Sequence, residues 1–310
     1  MKKYQNILTV IDPTTEDQKA LKRSIKLAQH TNASITVFLS IFDFSYEMTT
    51  MLSSDERESM RQTVIDDRYK WINNIIKQLD TNSLSISIKV IWHNRPFEAV
   101  IAEVLDHNHD IVIKGTHEHD KLKSVIFTPT DWHILRKCPC PVLLVKDHLW
   151  PENGNILAAI NVGSDEEEHH SLNHKITAQA KDLAQTINAN VHIVNSYPGT
   201  PVNIAIEIPE FNALEYNQNM LNHHKTAMAE HAKDYDIPQE NTYVKEGLPE
   251  DVIEEVANAI DAELVILGTV GRTGISAALI GNTAEHVIDR LSCDVLALKP
   301  IGYESPFSRS

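Results

Sequence analysis

The sequence lacks any apolar run of about 18 residues, the length that a membrane-spanning helix requires. Its opening segment, MKKYQNILTVID, has two lysines but only a short apolar run before Asp12. A secretory signal needs a longer apolar run. We therefore expect no membrane span, no secretory signal and a cytoplasmic protein.

Cysteine is scarce: the 310 residues include only Cys138, Cys140 and Cys293. So few cysteines fit a reducing compartment, where disulfides are rare. The segment Cys138-Pro139-Cys140 lacks the CxxC spacing of a redox motif, and no second cysteine pair completes a cysteine zinc site. We expect the three thiols to be small, packed core residues.

An excess of positive charge is missing too. The net charge is −15. Residues 1–149 carry 19 basic and 19 acidic side chains, whereas residues 150–310 carry 9 and 24. Binding to nucleic acid or to an anionic membrane depends on lysine and arginine. The composition therefore argues against both as partners.

Recognisable catalytic motifs are absent. The chain has no Gly-x-Ser-x-Gly elbow, no Gly-x4-Gly-Lys-[Ser/Thr] loop and no His-Glu-x-x-His motif. Asp12 and Asp131 can pair in principle, but nothing in the sequence fixes their distance. We expect no catalytic residues and no enzyme, with weak ATPase activity of the second half as the alternative left open.

An internal repeat organises the chain. Asn6-Ile7-Leu8 returns 149 residues later as Asn155-Ile156-Leu157. DIVIKGT at 110–116 matches ELVILGT at 263–269, and this offset of 153 continues without a gap to the pair Cys140 and Cys293. A sustained register indicates a duplication. We predict two domains, 1–148 and 155–302, with the seam at HLWPENG, where proline and glycine break the pattern.

Each copy alternates strand and helix patterns. Five β-branched runs joined by helices predict an α/β fold: in each domain an open, five-stranded parallel sheet with helices on both faces. The predicted strands are 5–11, 34–41, 85–92, 109–114 and 141–146, then 155–161, 190–196, 241–246, 263–268 and 294–299. The predicted helices are 17–31, 54–79, 96–107 and 130–137, then 168–187, 213–235, 249–259 and 283–291.

A glycine-rich segment follows the fourth predicted strand of the second copy. Glycines let backbone N–H groups approach phosphate oxygens, and a helix N-terminus adds unpaired donors and partial positive charge. An arginine can neutralise a phosphate. The residues that would hold a nucleotide or another anionic ligand are Gly268, Gly271, Arg272, Gly281, Asn282 and Thr283.

These residues resemble the universal stress protein family. Its nucleotide-binding members show glycine, two residues, glycine, nine residues, glycine, then serine or threonine; Gly268, Gly271 and Gly281 have this spacing, with Asn282 in the last place. GLPEDVI at 247–253 is similar to the family's turn into a helix, and FDFSYEMTT, HNRPFEAVI and FTPTDWH resemble tandem members. The resemblance implies the family's adenine nucleotide alpha hydrolase-like fold and a stress-induced cytosolic protein; some relatives bind ATP and some do not.

The resemblance also implies an aspartate near the adenosine, at the end of the first strand. The first copy has this residue, Asp12, but Glu118 and Thr128 replace two loop glycines, and a carboxylate there would repel phosphate. We expect no triphosphate at the first site. The second copy keeps the glycines but has Asn161 in place of the aspartate, which removes a charged acceptor. Two hypotheses therefore stay open for the second site. Either it binds ATP or another nucleotide, or the glycine turn is kept for packing and the site binds another ligand or none.

The segment His117-Glu118-His119-Asp120 replaces the glycine loop in the first copy. His117, His119 and Asp120 are residue types that bind zinc, so a zinc ion at this strand end is one reading. A solvated loop is the other. Adjacent histidines elsewhere, such as His169-His170 and His223-His224, point in different directions on a helix and make poor chelates.

We therefore expect a tandem stress protein that binds a small ligand or contacts protein partners. Its two domains are expected to pair within the chain as the family's dimers do, and the sequence leaves open whether the chain also forms a homodimer. Two alternatives remain: a slow ATPase or nucleotide-gated switch built on the second domain, and an interaction scaffold without a ligand.

Overall fold

The computed structural model describes residues 4–48, 52–81, 84–118, 125–126, 128–164, 166–200, 212–269 and 282–307. The chain divides into two compact units. The first unit comprises residues 2–146 together with 304–310, and the second comprises residues 147–303. Among the described residues, no helix has both the length and the apolar character needed to cross a membrane.

The first unit is built on a parallel sheet. Its strand order is β7-β4-β1-β2-β3, with every adjacent pair parallel. The strands are β1 Asn6–Val10, β2 Ser34–Ile41, β3 Ile86–Trp92, β4 Ile111–Gly115, β5 His117–Glu118, β6 Val125–Ile126 and β7 Val142–Val145. The helices are α1 Lys19–Thr31, α2 Phe44–Glu47, α3 Ser54–Lys77, α4 Pro96–His107 and α5 Pro129–Lys137. The short strands β5 and β6, which the sequence pattern did not indicate, form a separate antiparallel pair.

The second unit repeats this arrangement. Its strand order is β10-β9-β8-β11-β12, again parallel throughout. The strands are β8 Asn155–Ala159, β9 Asn190–Tyr197, β10 Thr242–Glu246, β11 Ala262–Gly268 and β12 Asp294–Leu298. The helices are α6 Glu167–Ile187, α7 Ala213–Lys233, α8 Pro249–Ala259 and α9 Asn282–Arg290, with a 3-10 turn at Gln239–Asn241. The predicted α/β class with parallel sheets is confirmed.

The central strands form the core of each unit. Ile111, Val112 and Ile113 in β4 are at most 1% exposed. Val265 and Ile266 in β11 are equally buried. Strands covered on both faces carry continuous β-branched and aliphatic runs, which is why these segments were recognisable in the sequence.

Helix ends follow local sequence rules. Pro96, Pro129 and Pro249 occupy the first turns of α4, α5 and α8, where a missing backbone N–H costs nothing. Asn32 and Asn188 end α1 and α6 in the left-handed conformation, at φ of 56° and 54°. Asparagine tolerates this region better than other residues with a Cβ.

The duplication is visible in matching hydrogen bonds. Thr116 N and Oγ1 donate to Val145 O at 3.0 and 3.2 Å, and Thr269 N and Oγ1 donate to Leu298 O at the same two distances. The helices α5 and α9 are both nine residues long. Both pairs are separated by the offset of 153 found in the sequence.

The three cysteines are buried and form no disulfide among the described residues. The Sγ atoms of Cys138 and Cys140 lie 3.5 Å apart. The prediction that these residues serve core packing is confirmed.

Residues 304–307 pack within the first unit although they follow the second unit in the chain. Ser305 Oγ donates to Lys137 O at 2.8 Å. The Phe307 ring meets the Phe97 ring edge-on, with centroids 6.2 Å apart, and Lys137 Nζ lies 5.5 Å from the Phe307 centroid. Phe97 in turn stacks on His133 at 4.2 Å. These residues therefore cover the contact between α4 and α5.

Two glycines at equivalent repeat positions predict different responses to alanine. A Cβ on Gly268 would lie 2.5 Å from Cδ2 of the buried Leu172, whereas a Cβ on Gly115 would lie 3.3 Å from Cγ of the flexible Lys19. We expect Gly268→Ala to lower the free energy of unfolding by about 1–3 kcal/mol, because extra volume in a packed core is costly. Gly115→Ala should cost less than about 1 kcal/mol. Urea unfolding of both variants measures the difference, and equal losses would contradict it.

Candidate functional site

A pocket of about 200 Å³ lies at the carboxyl ends of the strands in the first unit. In the sheet, β1 lies between β2 and β4. The chain continues from β1 to β2 on one side, while β4 joins on the other side, so the pocket lies where the strand order reverses. Ligands of open α/β sheets bind at this point. The pocket is lined by Val10, Ile11, Asp12, Pro13, Leu39, Ser40, Pro96, Val100, Lys114, Thr128 and Thr130.

Asp12 is held in place just beyond β1. Its Oδ1 accepts hydrogen bonds from Thr14 N at 2.9 Å and Thr14 Oγ1 at 2.6 Å. The buried Gln18 fixes the Asp12 backbone, accepting from its N–H at 3.1 Å and donating to its carbonyl at 2.6 Å. Asp12 is half-buried, so a positioned carboxylate lines the pocket.

Lys114 and Asp131 form a buried ion pair beside the pocket. Lys114 Nζ lies 2.6 Å from Asp131 Oδ1, and the two side chains are 11% and 0% exposed. The other carboxylate oxygen of Asp131 accepts from Thr128 N at 2.7 Å and Thr128 Oγ1 at 2.8 Å, which caps the start of α5. Asp131 thus pairs with Lys114 and with Thr128. These partners differ from Asp12, the partner that the sequence had suggested.

The pairing decides the electrostatics of the pocket. Lys114 is the one basic residue among those lining it, and Asp131 neutralises its charge. Asp12 adds a negative charge at the lining. The remaining walls are largely aliphatic. As far as the described residues line it, the pocket therefore offers hydrogen-bond acceptors and apolar surface, with its lysine already paired.

The predicted zinc residues fall mostly outside the described part of the chain. His117 lies in β5, where the backbone of Glu118 pairs with Val125. His119 and Asp120 lie outside the described residues. The zinc site at His117, His119 and Asp120 therefore stays a prediction.

In the second unit, Asn161 and Gly268 lie at the ends of the neighbouring strands β8 and β11. Asn161 is exposed, and its Oδ1 accepts from Gly163 N at 3.3 Å. Asn173 of α6 holds the Asn161 backbone through two hydrogen bonds, at 2.9 and 2.8 Å. The structure thus brings these two predicted site residues to one edge of the sheet.

The other predicted nucleotide residues are only partly described. Gly271, Arg272 and Gly281 lie outside the described residues. Asn282 and Thr283 are the first two residues of α9. Their role in binding an anion stays a prediction.

A buried polar cluster, which the sequence did not reveal, lies near Asn161. His224 of α7 is 4% exposed and stacks on Tyr197 at 5.2 Å. His224 Nδ1 is 2.9 Å from Asn195 Nδ2, and Asn195 Oδ1 accepts from Val162 N at 3.1 Å. A Cβ on Gly163 would collide with the His224 ring. The small residue after β8 therefore makes room for this histidine, whose pKa is lowered by burial and by His223.

A second buried histidine lies further along α7. His231 Nε2 is 2.8 Å from Thr177 Oγ1. Burial, and then the neighbouring His174, lower the pKa of His231 to about 4, while Asp234 opposes the shift and His170 adds to it. Neutral His231 is therefore the form that the folded protein favours.

The two units thus form a tandem α/β protein with a ligand-sized pocket at a topological switch point. The sequence model of the universal stress protein family matches residues 3–146 and 154–299. The chain belongs to the universal stress protein family, as its glycine spacing indicated.

Individual relatives align along nearly the whole chain. Universal stress protein E of Escherichia coli K12 is 52% identical over 307 residues, covering 99% of this chain and 97% of that protein. Universal stress protein E of Photorhabdus laumondii is 47% identical over 308 residues, covering 99% and 98%. The chain is therefore a tandem protein of the E type, and this kinship supports a role in the stress response.

A solved structure shows the same architecture. The crystal structure of a functionally unknown protein from Pseudomonas aeruginosa PAO1 superposes with a TM-score of 0.75 at 30% identity, covering 96% of this chain and 93% of that one. The resemblance in fold extends over both halves of the chain.

The second unit provides a template for testing the Lys114–Asp131 pair, because the equivalent positions are Leu267 and Ala284. Lys114→Leu alone leaves a buried carboxylate without its partner and should cost about 3–5 kcal/mol of unfolding free energy. Adding Asp131→Ala should recover most of this loss, apart from about 1 kcal/mol for the lost helix cap. Denaturant unfolding of the single and double variants tests the coupling, and simple additivity would contradict it.

The low pKa of His231 predicts a loss of stability in acid. In the unfolded chain a histidine is protonated near its ordinary pKa of 6.5, whereas the pKa of His231 in the folded protein is about 4. The free energy of unfolding therefore falls as the pH drops between these two values. From about pH 7.5 to about pH 5 we expect a loss of about 1–2 kcal/mol from this residue. His231→Gln should reduce the pH dependence of urea unfolding, whereas His30→Gln, at an exposed position in α1, should not. An unchanged pH profile in His231→Gln would refute the assignment.

Proposed function

We propose that this protein acts in the stress response by binding a small molecule reversibly in the pocket of the first unit, without catalysing a reaction on it. The observation that carries the proposal is the pocket itself, at the switch point between β1 and β4, with Asp12 positioned on its wall. The sequence carries none of the catalytic motifs that would point to hydrolysis.

The charges around the pocket select the class of ligand. Asp12 presents a carboxylate, which accepts hydrogen bonds from hydroxyl or amino groups. Among the described lining residues the cation is Lys114, which Asp131 neutralises, and the Asp12 carboxylate would repel a phosphate. The favoured ligand is therefore neutral or cationic, carries hydrogen-bond donors and has an apolar face for Val10, Leu39 and Val100.

The size of the pocket limits the ligand further. About 200 Å³ is below the range of about 300–1,000 Å³ typical of drug-sized ligands. A single nucleoside or a smaller polar molecule is of suitable size. Adenosine, which has hydroxyl and amino donors and an aromatic face, is a reasonable probe for this class.

The second unit favours a different ligand, an anionic nucleotide such as ATP. Two observations support this second candidate: Asn161 and Gly268 share one sheet edge, and α9 begins at Asn282, where its unpaired N–H groups can meet an anion. Gly271, Arg272 and Gly281 would complete the cradle. A slow ATPase or a nucleotide-gated switch remains the enzymatic form of this candidate.

Cellular location and assembly belong to the same proposed function. We propose a cytoplasmic protein in which the two units pair within one chain, with homodimers of the chain as a further level of assembly. A ligand-free scaffold is the competing view, and it predicts that neither unit responds to any small molecule.

A matched pair of variants tests both candidate sites. Thr130 lines the first pocket at the second position of α5, and Thr283 is the equivalent second residue of α9. Each is changed to tryptophan, which should obstruct the site of its own unit. Thermal unfolding is measured with adenosine and with ATP plus magnesium, and native mass spectrometry records any copurifying ligand.

We expect adenosine to stabilise the wild type and Thr283→Trp, but not Thr130→Trp. A ligand at 100 times its dissociation constant should add about 2.7 kcal/mol. ATP should stabilise the wild type and Thr130→Trp, but not Thr283→Trp. If Thr130→Trp keeps the wild-type response to adenosine, or no molecule stabilises or copurifies with the wild type, the first-unit proposal fails.

A further inference from the structure

Three metal-ligating side chains meet at the opposite edge of the first sheet, away from the pocket. Glu103 and His107 lie four residues apart in the last turns of α4, so they share a face of the helix. His109 follows after Asn108, which turns the chain in the left-handed conformation at φ 52°. One ligand atom from each of Glu103, His107 and His109 lies within 4.8 Å of the others.

Two of the three distances match those around a small tetrahedral ion, and the third is within 4.8 Å. Glu103 Oε1 lies 3.2 Å from His107 Nδ1 and 3.6 Å from His109 Nε2. Ligands at the 2.0–2.1 Å bond lengths of tetrahedral zinc are separated by about 3.4 Å. The three atoms can therefore bind one ion with only small movements of their side chains.

His109 provides an independent indication of a missing ligand. Its side chain is 2% exposed, yet neither ring nitrogen has a hydrogen-bond partner among the described residues. The 3.6 Å separation from Glu103 is too long for a hydrogen bond. Buried polar groups are almost always hydrogen-bonded, so an imidazole that makes an ion-pair contact with Glu103 but no hydrogen bond among the described residues calls for a further partner.

The backbone around His109 is firmly held. His109 N donates to Val104 O at 3.2 Å. The next residue, Asp110, accepts from Gln5 N at 2.8 Å, which ties this turn to the start of β1. A ligand fixed by its backbone in this way loses little conformational freedom when it binds an ion.

The second unit shows that the fold does not need these polar side chains. With the offset of 153, Glu103, His107 and His109 correspond to Val256, Ile260 and Ala262. Val256 and Ala262 are buried at the same helix–strand turn. Because apolar residues suffice there, the charged and imidazole groups of the first unit require a reason other than packing.

From this geometry we infer that Glu103, His107 and His109 form a binding site for a divalent transition-metal ion of the zinc class. Two imidazoles and one carboxylate are donors that Zn²⁺, Co²⁺ and Ni²⁺ accept, and three protein ligands leave a position for water. The His107 side chain is 53% exposed, which gives the ion access from solvent. The site is separate from the pocket of the proposed function.

Lys89 tunes this site. Its Nζ lies 2.5 Å from Glu103 Oε2, the carboxylate oxygen that does not face the histidines. The lysine orients the carboxylate so that Oε1 remains for the metal, but its positive charge repels a cation. Removing the charge should therefore strengthen binding, an effect that a purely structural role for Glu103 does not predict.

Zinc titration of the metal-free chain in competition with a chromophoric chelator tests the site, and the visible spectrum of bound Co²⁺ reports its geometry. We expect one tight site in the wild type with the intense absorption of tetrahedral Co²⁺. His107→Ala and Glu103→Gln should each weaken Zn²⁺ binding at least about tenfold, the loss that even outer partners of metal ligands cause. Lys89→Met should tighten binding by about tenfold.

The double variant His117→Ala/His119→Ala separates this site from the zinc prediction made for the other sheet edge. It should bind zinc like the wild type. His107 is largely exposed, so His107→Ala should keep the wild-type melting temperature without metal while losing the rise that zinc causes. The inference is overturned if the wild type binds no zinc tightly, if His107→Ala binds as tightly as the wild type, or if affinity falls only in the His117/His119 variant.

Discussion

The arrangement of both units depends on backbone hydrogen bonding between parallel strands whose side chains are buried on both faces. Since parallel strands cannot be joined by a tight turn, each connection must cross over through a helix. Where the crossovers leave β1 and β4 in opposite directions, the loops separate and a crevice opens. The pocket lined by Asp12 and Lys114 occupies this crevice. At the opposite edge, Glu103 and His107 at the end of α4 meet His109 just before β4, so one sheet also positions the proposed metal site.

The parts of the fold that come from local periodicity could be predicted from the sequence. The aliphatic runs at β4 and β11 identify buried strands, and Pro96, Pro129 and Pro249 mark helix starts. The repeat offset of 153 aligns α5 with α9 to the residue. The pair β5 and β6 could not be predicted, because two-residue strands carry no periodic signal.

The site was harder to predict because its contacts join distant residues. Lys114 and Asp131 are separated by a hairpin and a helix start, and only the fold shows that they touch. Glu103 and His107 meet His109 only through the left-handed turn at Asn108, which the sequence does not show. The glycine spacing, by contrast, indicated the family directly, since it reflects a local backbone requirement.

The two halves illustrate how a duplicated core can carry different chemistry. Equivalent positions hold Lys114 and Asp131 in one unit but Leu267 and Ala284 in the other. The threonines that close β4 and β11 keep identical hydrogen bonds, so the backbone has changed little. The side chains at the ends of the sheets have therefore diverged, while the strands have kept their hydrogen bonds.

The packing of Ser305 and Phe307 against α4 and α5 makes the first unit a discontinuous piece of the polypeptide. During synthesis on the ribosome, its sheet can assemble long before these residues emerge, but the surface around Phe97 and His133 stays uncovered until the second unit has been made. A cut anywhere between residues 147 and 303 separates residues 2–146 of the first unit from the carboxyl-terminal residues that pack on it. The first unit therefore depends on the continuous tandem chain. Dividing the chain at the seam would leave this unit without the contacts of its carboxyl-terminal residues.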